Sequence, residues 1–263
     1  MREKLLIVKI GGNVVDDEPA LHAFLAEFTK LPGFKILVHG GGKLATEMAK
    51  KLDIPQTLVE GRRITDAETL KVTTMVYAGL INKTIVAKLQ ANGTHALGLT
   101  GADGNAILAV KRKLRDVDFG FVGDIVSVNT DLFKSFFAQK LVPVIAPITH
   151  DGKGQLLNTN ADTIAQELAT TLSHFFEVDL YYIFEKSGVL LNVEDEDSVI
   201  PSMVKHDFDR LRKDGKIFSG MIPKLENAFQ AIDAGVEKVV LGKAGQLAML
   251  VSGKSGTTMR KTL

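Results

Sequence analysis

Short apolar, β-rich runs alternate with longer stretches of helical periodicity along nearly the whole chain. That alternation restricts the fold more than any other feature. Residues 5–10 read as a buried strand, followed by residues 34–38 and 96–99. Residues 106–111 and 121–128 read as a hairpin. Residues 142–148 read as one strand whose prolines mark its ends or a sheet edge. Residues 180–184, 238–241 and 257–261 complete the strands. Between them, residues 18–31 place Leu21, Phe24, Leu25 and Phe28 on one helical face, with Pro19 suited to the first turn. Further helices are expected over 43–52, 132–139, 160–172, 207–213 and 221–234, with a long tract over 65–92 that breaks near Gly79. Strands alternating with helices imply an α/β fold with a largely parallel sheet covered on both faces. No solenoid-period repeat and no linker divides the chain. A soft boundary falls near residues 173–179.

Composition narrows the function classes. The 263 residues suit one large domain or two lobes sharing a sheet. Hydrophobic residues at 45% and charged residues at 24% exclude global disorder. Lys+Arg at 32 against Asp+Glu at 31 leaves a net charge of +1, so binding nucleic acid is not its main business. The absence of cysteine excludes disulfides, thiolate zinc sites and a cysteine nucleophile. The run Leu5–Val8 stops at Lys9, too short for a signal-peptide core, and no stretch approaches a membrane span. A soluble, cytoplasmic protein is expected.

Ligands of parallel α/β sheets bind at the carboxyl ends of the strands. Three early strands end in glycine: Gly11-Gly12, Gly40-Gly41-Gly42 and Gly101 to Gly104. A single such loop is more often a tight turn. Several on one sheet edge, each feeding a helix N-terminus, favour a bound phosphate. Gly40-x-Gly42-x-x-Ala45 matches a dinucleotide fingerprint, with Glu60 loosely placed for a ribose, but no clean βαβ unit follows. The P-loop pattern fails at Leu44, and no G-x-S-x-G elbow occurs. The six histidines show no metal-ligand spacing, and no metal site is expected on the protein. His39 reads as structural, at a strand end.

Four polar features stand out. Lys9 lies inside an apolar strand, so it either reaches solvent from an edge strand or aims an ammonium at a phosphate. Lys224 opens a helix whose dipole it opposes. It is either solvated or matched by a bound anion. In Asn158-Thr159-Asn160-Ala161-Asp162, Asn158 or Asn160 serves as an N-cap, or Asn158 binds substrate while Asp162 holds lysines in place. Arg62-Arg63 is either a solvated pair or a fork for a planar carboxylate.

Taken in order, Val8-Lys9-Ile10-Gly11-Gly12, Val38-His39-Gly40-Gly41-Gly42, Gly61-Arg62-Arg63-Ile64-Thr65, Asn158 to Asp162 and Gly220-Met221-Ile222-Pro223-Lys224 resemble the amino acid kinase family nearly end to end. The resemblance implies a three-layer αβα sandwich with a mainly parallel central sheet. It implies an acyl-amino-acid-binding lobe over residues 1–175 and a nucleotide-binding lobe over 176–263. The chain is most similar to members that move the γ-phosphoryl of ATP, with Mg²⁺ held through the phosphates, onto the side-chain carboxylate of N-acetyl-L-glutamate in arginine biosynthesis.

Carried over by motif, Lys9 and Lys224 flank the phosphoryl group and Asp162 organises both. Gly41, Gly42, Arg63 and Asn158 bind the acylated glutamate. Gly11, Gly12, Glu185, Lys186, Ser187, Gly188, Lys216, Ile217 and Phe218 serve the nucleotide. At Phe184-Glu185-Lys186-Ser187-Gly188 the chain departs from the family, which has a small hydroxyl residue and Asp there. The sequence starts directly at the first strand, without the extra helix of arginine-sensitive hexamers. A homodimer without arginine feedback is therefore expected. The competing readings are a kinase for N-succinyl-L-glutamate, carbamate, aspartate or a nucleotide, a non-catalytic sensor on the same fold, and a dinucleotide oxidoreductase.

Overall fold

The computed structural model describes residues 2–59, 62–113, 116–192, 194–217 and 221–262. The strands are β1 Lys4–Ile10, β2 Phe34–His39, β3 Leu58–Val59, β4 Arg62–Arg63, β5 Ala96–Leu99, β6 Ile107–Lys111, β7 Gly123–Val128, β8 Val142–Ile145, β9 Ile148–His150, β10 Leu156–Asn158, β11 Glu177–Phe184, β12 Ser202–Met203, β13 Lys238–Lys243 and β14 Thr257–Met259. The helices are α1 Gly12–Asp16, α2 Glu18–Lys30, α3 Gly42–Lys51, α4 Ala67–Thr74, α5 Asn82–Ala91, α6 Thr130–Ala138, α7 Ala161–Leu172, α8 Lys205–Lys213, α9 Ile222–Asp233 and α10 Leu247–Val251.

Eight strands form the central sheet in the order β12-β14-β13-β11-β1-β2-β8-β5. From β13 to β5 every pair is parallel; β14 turns antiparallel to β13, and β12 runs parallel to β14. Because side chains alternate along a strand, β1 serves two cores. Leu5 and Ile7 pack with Phe133 of α6, Ile164 of α7 and Leu225 of α9. Leu6, Val8 and Ile10 pack with Phe24 of α2, Ala45 of α3, Ile85 of α5 and Leu247 of α10. Helices therefore cover both faces, giving three layers. The expected α2 face is the one observed: Leu21, Phe24, Leu25 and Phe28 are all buried, and Asp17 caps the helix by accepting from Ala20 N.

Besides short elements that the sequence reading did not include, the structure departs from it at two of the elements it did give. Residues 142–148 are two strands in different sheets. β8 lies inside the main sheet between β2 and β5, whereas β9 joins β10, β6 and β7 in a small four-stranded sheet. Pro143 is tolerated in an interior strand for a geometric reason. Alternate amides point to opposite neighbours, and Val142 N donates towards β5, to His95 O. The missing N–H of Pro143 therefore faces β2, whose register with β8 starts only at Val144. Pro147 stands at the break between the two strands. The second departure is at Gly79, where the tract continues as a π-helical segment, Met75–Ile81, between α4 and α5.

Candidate active site

β1, β2, β8 and β10 all end at one edge, and the N-termini of α3, α7 and α9 converge there. They enclose a cleft of ≈ 700 Å³. Lys9, Gly12, Gly41, Gly42, Arg63, Asn158, Asp162 and Lys224 all line it, although they come from well-separated stretches of the sequence.

Lys9 is not on an edge strand, since β1 lies between β11 and β2. It shares the face of Leu5 and Ile7, opposite α7, and its Nζ lies 2.7 Å from Asp162 Oδ1. Asn160 is the N-cap of α7: its Oδ1 accepts from Asp162 N at 2.8 Å and Thr163 N at 3.1 Å. Asp162 is thus fixed in the first turn, where the helix dipole favours a carboxylate. Asn158 does not cap. Its Nδ2 donates to Thr65 Oγ1 at 3.0 Å, tying the end of β10 to the chain that enters α4. Lys224 sits in the first turn of α9 after Pro223, and its Nζ lies 5.2 Å from the Phe184 ring centroid. It forms no ion pair among the described residues, so Asp162 pairs with Lys9 and not with Lys224.

Gly41 precedes α3 at φ 148°. A Cβ there would stand 2.1 Å from Ile81 Cδ1, so glycine is required by both backbone and space. Arg63 reaches across from β4. Its Nη2 donates at 2.8 Å to both Gly42 O and Thr46 Oγ1, and its Nη1 donates to Gln56 Oε1. A guanidinium at a helix N-terminus opposes the dipole unless an anion lies between them. Tyr77 closes this corner. Burial pushes its phenol pKa up, while the Arg63 charge opposes that rise. Asp16 lies nearby with both carboxyl oxygens buried and without hydrogen-bond partners among the described residues, and desolvation raises its pKa against the attraction of Lys43.

The cations Lys9, Lys43, Arg62, Arg63, Arg112 and Lys224 line the cleft, and Asp162 is the one carboxylate among its described lining residues. Arg112 is held by Asp124 at 2.6 Å. A cleft of this sign suits a small, multiply charged anion.

The nucleotide set fares differently. Gly11 is the N-cap of α1, and its N–H donates to Ile183 O at 3.2 Å behind the cleft wall. Glu185 accepts from Asn13 Nδ2. Lys186 and Ser187 bond Glu196, as does Lys243, and these partners hold the Glu196 carboxyl down at about 2. Gly188 is pressed against Thr257 and Val199. Lys216 is exposed, and Ile217 is buried in the α9-side core. Of the described members of this set, Gly12 alone lines the cleft. Phe218 lies outside the described residues, as do Glu60, Gly61, Ser219 and Gly220.

Sequence reasoning missed Thr46 and Tyr77. Thr46 was findable, because i+4 from Gly42 it shares that residue's helical face. Tyr77 was not, because the π-helical pitch sets its direction.

The amino acid kinase family profile matches residues 4–243. An acetylglutamate kinase of Phocaeicola vulgatus is 55% identical over 261 residues, covering 99% of this chain and 100% of that protein. One from Anaeromyxobacter is 39% identical over 273 residues, covering 97% and 99%. Among solved structures, N-acetylglutamate synthase from Neisseria gonorrhoeae complexed with coenzyme A and N-acetyl-glutamate superposes at a TM-score of 0.83. That match has 18% identity and covers 98% of this chain and 60% of that one. Carbamate kinase from Giardia lamblia bound to AMP-PNP superposes at 0.70 with 14% identity, covering 98% of each. These two likenesses establish the shared fold.

Proposed function

This chain belongs to the amino acid kinase family, and on that premise we propose that it phosphorylates the side-chain carboxylate of N-acetyl-L-glutamate with ATP. The name shared by relatives at 52–55% identity across nearly the whole chain supports the substrate. The observation that carries the reading is the placement of two lysines, Arg63 and the glycine-led start of α3 around one cleft with a single described carboxylate.

A carboxylate oxygen of the substrate attacks the γ-phosphorus of ATP. The bond from that phosphorus to the β–γ bridging oxygen breaks, ADP leaves with the electron pair, and an acyl phosphate remains. The nucleophile is already ionised at neutral pH, so no general base is needed. Catalysis reduces to alignment and charge neutralisation. Lys9 and Lys224 place ammonium groups against the phosphoryl oxygens, and the N–H groups of Gly12, Gly41 and Gly42 add preorganised donors. Asp162 fixes Lys9 against the strand. Arg63 pairs with the substrate's α-carboxylate at the start of α3, and Asn158 takes the acylated amino group. Mg²⁺ accompanying ATP would supply further charge neutralisation at the phosphates.

The proposed division places the acylated amino acid over residues 1–175 and the nucleotide over 176–263, with Gly11, Gly12, the 185–188 turn and residues 216–218 near the nucleotide. We also place the enzyme in cytoplasmic arginine biosynthesis, as a homodimer. Met75 and Leu80, more than half exposed on the π-helical segment, support a contact with a second copy.

ADP release measured with N-acetyl-L-glutamate, N-succinyl-L-glutamate, L-glutamate and L-aspartate tests the reading. Turnover of the acetyl compound no better than that of glutamate would overturn it. Complementation of an arginine auxotroph tests the pathway, and light scattering with and without arginine tests the assembly.

A further inference from the structure

Behind the glycine loop lies a buried polar relay that none of the roles above uses. His39, the last residue of β2, and Asn82, the first of α5, are 0% and 1% exposed. Asn82 Nδ2 lies 2.9 Å from Val144 O and 3.2 Å from His39 Nε2, while its Oδ1 lies 3.0 Å from Lys83 Nζ. The Val144 carbonyl can only accept and the Lys83 ammonium can only donate. The amide orientation of Asn82 is therefore fixed, with its NH₂ facing His39. His39 Nε2 must then accept. A neutral imidazole has one N–H, which is left on Nδ1, and Nδ1 lies 2.9 Å from the carbonyl oxygen of Gly40. Burial keeps the ring neutral by pushing its pKa down to about 4.

The consequence falls on the next atom pair. In a trans peptide the C=O of one residue and the N–H of the next point in opposite directions, and every described peptide is trans. With Gly40 O drawn inward to His39, the Gly41 N–H is turned outward, on the side where Gly40, Gly41 and Gly42 form the cleft wall. Ile81, the residue before Asn82, occupies the space a side chain at Gly41 would need. One junction, where the π-helical segment gives way to α5, therefore grips the loop twice.

We propose that His39 and Asn82 are positioning residues that aim the Gly41 amide at the transferring phosphoryl group. The proposal rests on the phosphotransferase reading above. It differs from a merely structural role in requiring a donor at the Nδ1 position rather than a filled cavity.

Steady-state kinetics with N-acetyl-L-glutamate and MgATP test it on the wild type, His39→Asn, His39→Gln and Asn82→Leu. An asparagine amide nitrogen falls where Nδ1 was and can still donate to Gly40 O. A glutamine reaches Asn82 but offers Gly40 nothing. A misaimed oxyanion-type donor costs up to about a hundredfold or more when lost outright. On that scale His39→Gln lowers kcat at least about tenfold with both KM values within about threefold, and His39→Asn stays within about threefold of wild-type kcat. Asn82→Leu falls between them. Equal losses in the two histidine variants, or a loss confined to KM, overturn the proposal. Should His39→Gln not fold, ¹H–¹⁵N correlation of the wild-type imidazole still decides. The Nδ1–H tautomer supports the proposal, and an Nε2–H tautomer or an imidazolium near neutral pH overturns it. A wild type that does not turn over N-acetyl-L-glutamate fails the functional reading instead, and the tautomer measurement remains valid.

Discussion

Lys9 Nζ stands 2.7 Å from Asp162 Oδ1, joining an interior strand to the first turn of α7. The two side chains are 13% and 27% exposed, so water screens the pair only partly. Lys224 borders the same cleft and has no such partner among the described residues. The two lysines are therefore held by different means, one by a carboxylate and the other by its place at a helix start.

That difference has a kinetic consequence. Lys9→Met and Lys224→Met each lower kcat by about a hundredfold or more, with smaller changes in KM, because their charge matters most in the transition state. Asp162→Asn lowers kcat through Lys9. The double variant Lys9→Met/Asp162→Asn is then barely worse than Lys9→Met alone, whereas Lys224→Met/Asp162→Asn is additive. A complete double-mutant cycle on kcat checks this, and additivity of the Lys9–Asp162 cycle would count against the arrangement.

Arg63→Lys separates binding from chemistry. Arginine offers a planar fork, and lysine offers a point charge. Loss of charge-assisted hydrogen bonds worth about 1.5–3 kcal/mol raises the KM for N-acetyl-L-glutamate roughly ten- to a hundredfold, leaving the KM for ATP little changed. An unchanged acetylglutamate KM would remove Arg63 from the substrate site.

Gly41→Ala places a methyl group 2.1 Å from Ile81 Cδ1 in a backbone conformation that suits glycine. A destabilisation of about 1–3 kcal/mol is expected, with loss of activity. Adding Ile81→Ala relieves the clash but not the strain in φ, so thermal melting recovers only partly. Full recovery would show that space alone requires glycine there.

His39 gives stability a pH slope. Its folded pKa, about 4, lies below the ordinary histidine value near 6.5. Between those values the unfolded chain binds more protons, so stability is complete above pH 6.5 and is lost as pH falls towards 4. For a fully buried ring the loss amounts to about 3 kcal/mol. Denaturant melts of the wild type and His39→Asn at pH 7 and pH 4.5 test this, with a smaller acid loss expected in the variant.

Much of this was legible in the residues, and the exceptions have physical causes. β1 announced itself by an apolar run ending in glycine, and α2 by apolar spacing on one face. Among the cleft-lining positions, Gly12, Gly41 and Gly42 were marked by glycine after a strand, and Lys9 by a lone cation in an apolar run. The break at Pro147 was hidden because a strand is defined by its partners, and β9 and β10 are too short to show a period. Tyr77 and Asn82 owe their direction to π-helical pitch, which leaves no mark in spacing. His39 looked structural because its relevance lies in the carbonyl of the residue after it.

β1 and β11 run side by side through seven registered pairs, from Lys4 with Glu177 to Ile10 with Ile183. The two proposed lobes are therefore stitched by a strand ladder, with no hinge between separate sheets. The offset between the acyl-glutamate and nucleotide ends of the cleft is set by inter-strand spacing, about 4.8 Å per step. Such a floor acts as a fixed ruler under the reaction. Adjustment to bound substrate falls to parts outside it: the β3–β4 pair carrying Arg63, the small four-stranded sheet carrying Asn158, and the first turn of α9 carrying Lys224.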